Sequence, residues 1–177
     1  KNGGNLPHMN KSLLDYLLIN LKICSLLIFI FISTNLLYSQ NKYEFMNLFN
    51  ADHNSEVSCY RIPSIITASN GDLIVAIDER VPSCGDLKWS DDINIVMRKS
   101  SDNGNTWTPI RTIVDYPKGK SASDPSMIFD EVTNTIFLFF NFMNHINEKN
   151  KYYLKYISSS DYGKSWSDPV DITNQIS

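Results

Sequence analysis

Ser100-Ser101-Asp102-Asn103-Gly104-Asn105-Thr106-Trp107 recurs 59 residues later as Ser159-Ser160-Asp161-Tyr162-Gly163-Lys164-Ser165-Trp166, and Pro109 and Pro169 follow the two copies closely. Each copy has the chemistry of a self-contained turn. The Asp carboxylate accepts backbone N–H groups across it, and the Gly (Gly104 or Gly163) takes a conformation that a Cβ opposes. The Trp ring (Trp107 or Trp166) plugs the end of the sheet beneath. Asp102, Asn103 and Asn105 do not follow the ligand order of a calcium loop, so no metal is assigned.

Outward from the repeat, short apolar runs alternate with turn-forming clusters, and no stretch after Tyr43 sustains a helical period. The predicted strands are residues 64–67, 73–78, 93–99, 110–114, 126–129, 135–141 and 152–158. Asn70-Gly71 separates the first two in the manner of a tight hairpin, and residues 130–134 separate the fifth and sixth. Short antiparallel strands with one turn motif per unit predict an all-β fold, a six-bladed β-propeller built from four-stranded sheets. At about 40–45 residues per blade, residues 41–177 are expected to hold roughly the first three, so the chain reads as the N-terminal part of a larger ring.

The composition agrees. The 177 residues are 42% hydrophobic and 20% charged, with nine Tyr, nine Phe and three Trp, which suits a folded β-rich domain. A formal net charge of −3 and the absence of a Lys/Arg cluster argue against nucleic acid as a partner. The first 40 residues are different in kind. Lys11 and Lys22 lead into the apolar run Cys24–Ile32, which is shorter than the roughly 20 residues of a membrane span and is about the length of an export-signal core. Residues 1–40 are therefore read as upstream residues and a signal helix, with cleavage near Ser39 or Gln40, and the membrane enters only through this segment. A secreted or periplasmic protein, or one held at the cell surface, is expected. Cys59 and Cys84 then sit in an oxidising compartment, where a disulfide and two buried thiols are both open readings.

The repeated Ser-x-Asp-x-Gly-x-Thr/Ser-Trp element is similar to the Asp box of sialidases, and Tyr60-Arg61-Ile62-Pro63 resembles the Arg-Ile-Pro motif that opens the sialidase catalytic domain. The order is also that of the family: the Arg-Ile-Pro strand, a hairpin, Asp78-Glu79-Arg80, an Asp-bearing loop, and the first Asp box. The resemblance covers residues 60–166. It implies an exo-α-sialidase that removes terminal sialic acid from glycoproteins, glycolipids or oligosaccharides with retention and without a cofactor.

The resemblance also implies roles. Arg61 is the first member of an arginine cluster that holds the sugar carboxylate, a task that suits the planar guanidinium fork. Arg80 lies 19 residues on and Asp86 six further, the family spacing for an arginine near the sugar O4 and for the acid/base aspartate. Asp86 protonates the leaving oxygen and therefore has to be partly protonated at working pH, with Asp91 and Asp92 as rivals for the role. Asp124, in Ser123-Asp124-Pro125, is placed to contact O4 with Arg80. Trp89 and Phe142 are left out of the site as core aromatics. The family's Tyr nucleophile, its Glu partner and two further arginines come late in the domain and match nothing here, so the 177 residues alone are expected to be inactive. The reading from another class is a non-catalytic Asp-box propeller that binds glycans or proteins, since the boxes by themselves establish fold and not chemistry.

Overall fold

The computed structural model describes residues 11–38 and 45–176. They fall into two compact units, residues 1–46 and 47–177. The first contains helix α1 (Lys11–Tyr38), which takes in the apolar run of residues 24–32 and leaves Leu26, Leu27, Ile28 and Phe29 exposed. No helix among the described residues is long and apolar enough to cross a membrane. The expected cleavage near Ser39 or Gln40 lies outside the described residues.

The second unit is all-β apart from two short helical turns, Ala51–His53 and α2 (Thr173–Ile176). Strands β1 (Cys59–Thr67), β2 (Leu73–Arg80), β3 (Ile93–Ser100) and β4 (Arg111–Val114) form one antiparallel sheet in chain order. Strands β5 (Lys120–Asp130), β6 (Thr135–Asn144), β7 (Tyr152–Ser159) and β8 (Val170–Asp171) form a second. Every predicted strand is present. The number of sheets is not the predicted one: two four-stranded sheets occupy the span expected to hold roughly three blades. The reason is the loops. Residues 81–92 between β2 and β3, and residues 145–151 between β6 and β7, lengthen each unit toward the box-to-box spacing of 59.

The two sheets share one core. Ile74 and Ala76 of β2 and Ile95 and Met97 of β3 pack with Ala122 and Met127 of β5, Ile136, Leu138 and Phe140 of β6, and Ile157 of β7. The alternation in β6, with Ile136, Leu138, Phe140 and Phe142 buried, turns one face to this core, as a pleated strand with a period of two requires. On the opposite face Phe137, Phe139 and Tyr156 form their own ring cluster.

The two opening strands bend alike. In β1 the pairing shifts between Arg61 and Ser64, and in β5 between Ser123 and Ser126. In each bulge the residue before the proline, Ile62 or Asp124, is left-handed, with φ of 59° and 62°. An Ile in this region is unfavourable and an Asp less so. A bulge re-aims the side chains beside it.

The boxes close as the sequence predicts. Oδ1 of Asp102 accepts from the Ser100 hydroxyl at 2.8 Å and from the Thr106 N–H at 2.8 Å, while Oδ2 accepts from the Thr106 hydroxyl at 2.6 Å. Asp161 repeats the pattern with Ser159 and Ser165 at 2.8, 2.9 and 2.6 Å. Gly104 and Gly163 hold φ of +86° and +76°, the region that only glycine enters freely. The two tryptophans differ. The Trp107 indole donates to the Gly104 carbonyl at 3.0 Å, whereas the buried Nε1 of Trp166 has no partner. In the second box that carbonyl, Gly163 O, is taken by Nη2 of Arg111, which reaches over from β4 of the first sheet.

Candidate active site

Strand β2 carries charge on its buried face. Ile74, Ala76, Asp78 and Arg80 alternate inward and are 0–1% exposed, so the apolar periodicity runs straight into an ion pair. The Arg80 guanidinium donates to Asp78 Oδ2 from Nε at 3.2 Å and from Nη2 at 2.9 Å. Asp78 also accepts from the Ser123 hydroxyl at 2.6 Å and from the Asp124 N–H at 3.0 Å. It therefore joins β2 to the bulge of β5 across the two sheets. Burial pushes the Asp78 carboxyl up to about 6, against the pull of Ser123, Arg80 and the Asp124 amide.

Nη1 of Arg80 points the other way and organises the loop after β2. It donates to the carbonyls of Cys84 at 3.2 Å and Gly85 at 2.9 Å and to Asp86 Oδ1 at 2.7 Å. A disulfide joins Cys84 to Cys59, with Cα atoms 5.7 Å apart, and pins the loop to the start of β1. This settles the two readings of these cysteines in favour of the bond.

Arg61 projects from the bulge of β1 onto the same loop. Its Nη1 donates to Asp86 Oδ1 at 2.9 Å and to the Cys84 carbonyl at 3.3 Å. Asp86 thus sits between two guanidinium groups, 67% exposed, while Arg61 is 44% exposed and Arg80 only 1%. The hydrogen bond from Arg80 and the charge of Arg61 hold its carboxyl below the usual carboxylate range. This departs from the expectation of a partly protonated Asp86, because the loop presents it to arginines and to solvent rather than burying it. Both arginines bond Asp86 and neither bonds Asp91 or Asp92, while burial pushes the Asp92 carboxyl up.

Arg61, Asp86 and Asp124 line one cleft of about 450 Å³ together with Lys88, Trp89 and Tyr152. Asp124 is held by Asn141, whose side-chain amide donates to Oδ2 at 3.0 Å. Arg80 bonds Asp86 from beneath this cleft with almost no exposed surface of its own, whereas Asp124 is open to the cleft. The sequence reading missed Asp78 and Trp89. For Asp78 the signal was its place in phase with Ile74 and Ala76. Trp89 is 76% exposed on the cleft wall, whereas Phe142, 8% exposed, is a core residue beside Tyr116 and Tyr153. Tyr60 donates its hydroxyl to Glu79 at 3.1 Å, and burial together with that carboxylate pushes its phenol up to about 12.

The family described as BNR repeat-like domain matches residues 83–177, more than half of the chain. The chain belongs to this family. A sialidase of Bacteroides fragilis is 27% identical to it over 145 residues, covering 71% of this chain and 26% of that protein. An anhydrosialidase of Macrobdella decora is 37% identical over 118 residues, covering 55% of this chain and 15% of that one. Among solved structures, a Hadza microbial sialidase superposes with a TM-score of 0.61 at 29% identity, covering 68% of this chain and 27% of that chain. The BNR repeat-like chain thus spans about a quarter or less of the length of these curated relatives. The two antiparallel sheets are similar to those of the solved sialidase.

Proposed function

We propose that this chain forms the first part of the catalytic domain of an exo-α-sialidase, which releases terminal sialic acid from glycoproteins, glycolipids or oligosaccharides. The observation that carries the reading is the convergence of Arg61, Asp86 and Asp124 on one cleft above the buried Asp78–Arg80 pair. In this reading the two sheets are the first two blades of a six-bladed ring, and α1 is the export signal of a secreted or periplasmic protein, or of one held at the surface.

The mechanism follows from the shared acceptor. A sialoside carries a carboxylate next to its anomeric carbon, and this anion competes with Asp86 for the exposed Arg61. Once Arg61 grips the substrate, Asp86 loses one cation and gains a nearby negative charge, and both changes raise its affinity for a proton. Asp86 then donates that proton to the departing glycosidic oxygen and afterwards takes one from the attacking water. Asp124 accepts a hydrogen bond from a ring hydroxyl. Retention through a Tyr nucleophile fits the family resemblance, and no tyrosine of this chain is assigned that role.

The test is sialic acid release from a fluorogenic sialoside by the full-length gene product, beside Asp86→Ala and Arg61→Ala. Losses of about a hundredfold or more, the scale of general acid/base catalysis, support the reading. A folded but silent parent that still binds sialylated glycans supports the non-catalytic propeller instead. The 37% identity to an anhydrosialidase favours a second reading of the product, and mass spectrometry separates free from anhydro sialic acid.

A further inference from the structure

Resting on the sialidase reading, the geometry points to a second binding site beside Asp86, one that holds the leaving saccharide by stacking it on Trp89. The acid must face the glycosidic oxygen, so the departing glycan lies on the exposed side of Asp86 and not on the Arg61 side. There the chain makes a tight turn. The Asp86 carbonyl accepts from the N–H groups of Trp89 at 2.7 Å and Ser90 at 3.0 Å, which fixes the indole one turn away from the acid.

Trp89 is the most exposed aromatic side chain in residues 47–176. Leaving an indole in water forgoes a large apolar burial, and a ring with an apolar face and a polar tip is suited to contact with a ligand. One face of a pyranose presents C–H groups of partial positive charge, which complement the negative π face of an indole. Lys88 Nζ stands 5.1 Å from the Trp89 ring centroid and supplies a donor at the platform's rim.

The platform is shared by two clefts. Lys88 and Trp89 line the Asp86 cleft and also a neighbouring one of about 760 Å³ that runs on to Asp91, His145 and Lys149. Both volumes are of the order that receives small ligands, roughly 300–1,000 Å³. His145 and Asn150 extend the lining of this second cleft away from Trp89. The charges are of mixed sign, Lys88 and Lys149 against Asp91. That suits the hydroxyls of a neutral hexose, acting as both donors and acceptors, better than a second anion. The occupant is therefore the neutral pyranose next to the sialic acid, with the following sugar reaching toward His145.

The test compares 3′-sialyllactose with methyl α-sialoside, whose leaving group is a single carbon, using the full-length gene product. The ratio of kcat/KM values for the two substrates falls about tenfold in Trp89→Ala, through KM for the trisaccharide rather than kcat, and Trp89→Tyr restores most of it. Saturation-transfer NMR with lactose gives signals from the parent that Trp89→Ala loses. An unchanged ratio, or lactose signals that persist in Trp89→Ala, overturns the subsite. If the folded parent cleaves neither sialoside, the sialidase reading fails, and the lactose experiment still decides the platform.

Discussion

Asp78 and Arg80, two residues apart on one face of β2, meet at 2.9 Å with neither side chain open to solvent. Burying such a pair is costly, and breaking it is costlier, because the remaining charge keeps its desolvation penalty without its partner. Asp78→Ala strands the Arg80 guanidinium and removes the acceptor of Ser123 and Asp124. The expected loss is about 3 kcal/mol, read by urea unfolding, and a loss below about 1 kcal/mol would show that the pair does not tie the sheets together.

The Arg61–Asp86 contact predicts a pH signature. Asp86 acts as an acid only when protonated, so kcat/KM falls as pH rises through its pKa in the free protein, and kcat falls at its pKa in the complex. Arg80 and Arg61 depress the first value, and a substrate carboxylate on Arg61 relieves part of that depression. The falling limb of kcat should therefore lie at higher pH than that of kcat/KM. In Arg61→Ala the kcat/KM limb moves up toward it. Coincident limbs in the parent would rule out the exchange.

Cys59 and Cys84 close a loop with a sequence separation of 25. A crosslink over this length stabilises a fold by roughly 3 kcal/mol. Cys59→Ala should cost that amount in thermal or urea unfolding and also loosen Asp86, seen as lower kcat with a binding step left largely intact. Equal stability of the reduced and oxidised protein would contradict it.

The second Asp box predicts the acid limb of stability. Hydrogen bonds from the Ser165 hydroxyl and N–H and from the Ser159 hydroxyl hold Asp161 well below its ordinary value of 3.8. The folded pKa is depressed, so below about pH 4 the unfolded chain binds the proton first, and the contribution fades as pH falls. Asp161→Asn should be less stable than the parent near neutrality, with the gap closing toward pH 2. A gap constant over pH 2–6 in thermal scans would refute this.

Much of this was legible in the residues. The repeated octapeptide located both sheets, because its Asp carboxylate is satisfied by Ser, Thr and backbone groups within the same turn. Asn70-Gly71 marked the first hairpin, where Gly71 takes φ of +85° and donates to the Ala68 carbonyl. The opening of β5 was missed because Ser121, Ala122 and Ser123, all buried, are too small and polar to look like a strand. β8 was missed because its two exposed residues carry no pattern. Arg61, Arg80, Asp86 and Asp124 were placed by motif, yet the division of labour among them depended on burial across two sheets. No spacing rule reports that Arg80 lies under the cleft and Trp89 beside it.

The reach of Arg111 has one more consequence. Its Nη1 donates to Lys164 O at 2.7 Å and its Nη2 to Gly163 O, so a residue of the first sheet completes a turn that belongs to the second. These partners lie 53 and 52 positions apart in the chain, and such distant pairs form only after a large loop has closed. The second box thus draws the donors for two of its carbonyls from β4, so loosening either sheet takes contacts away from the other.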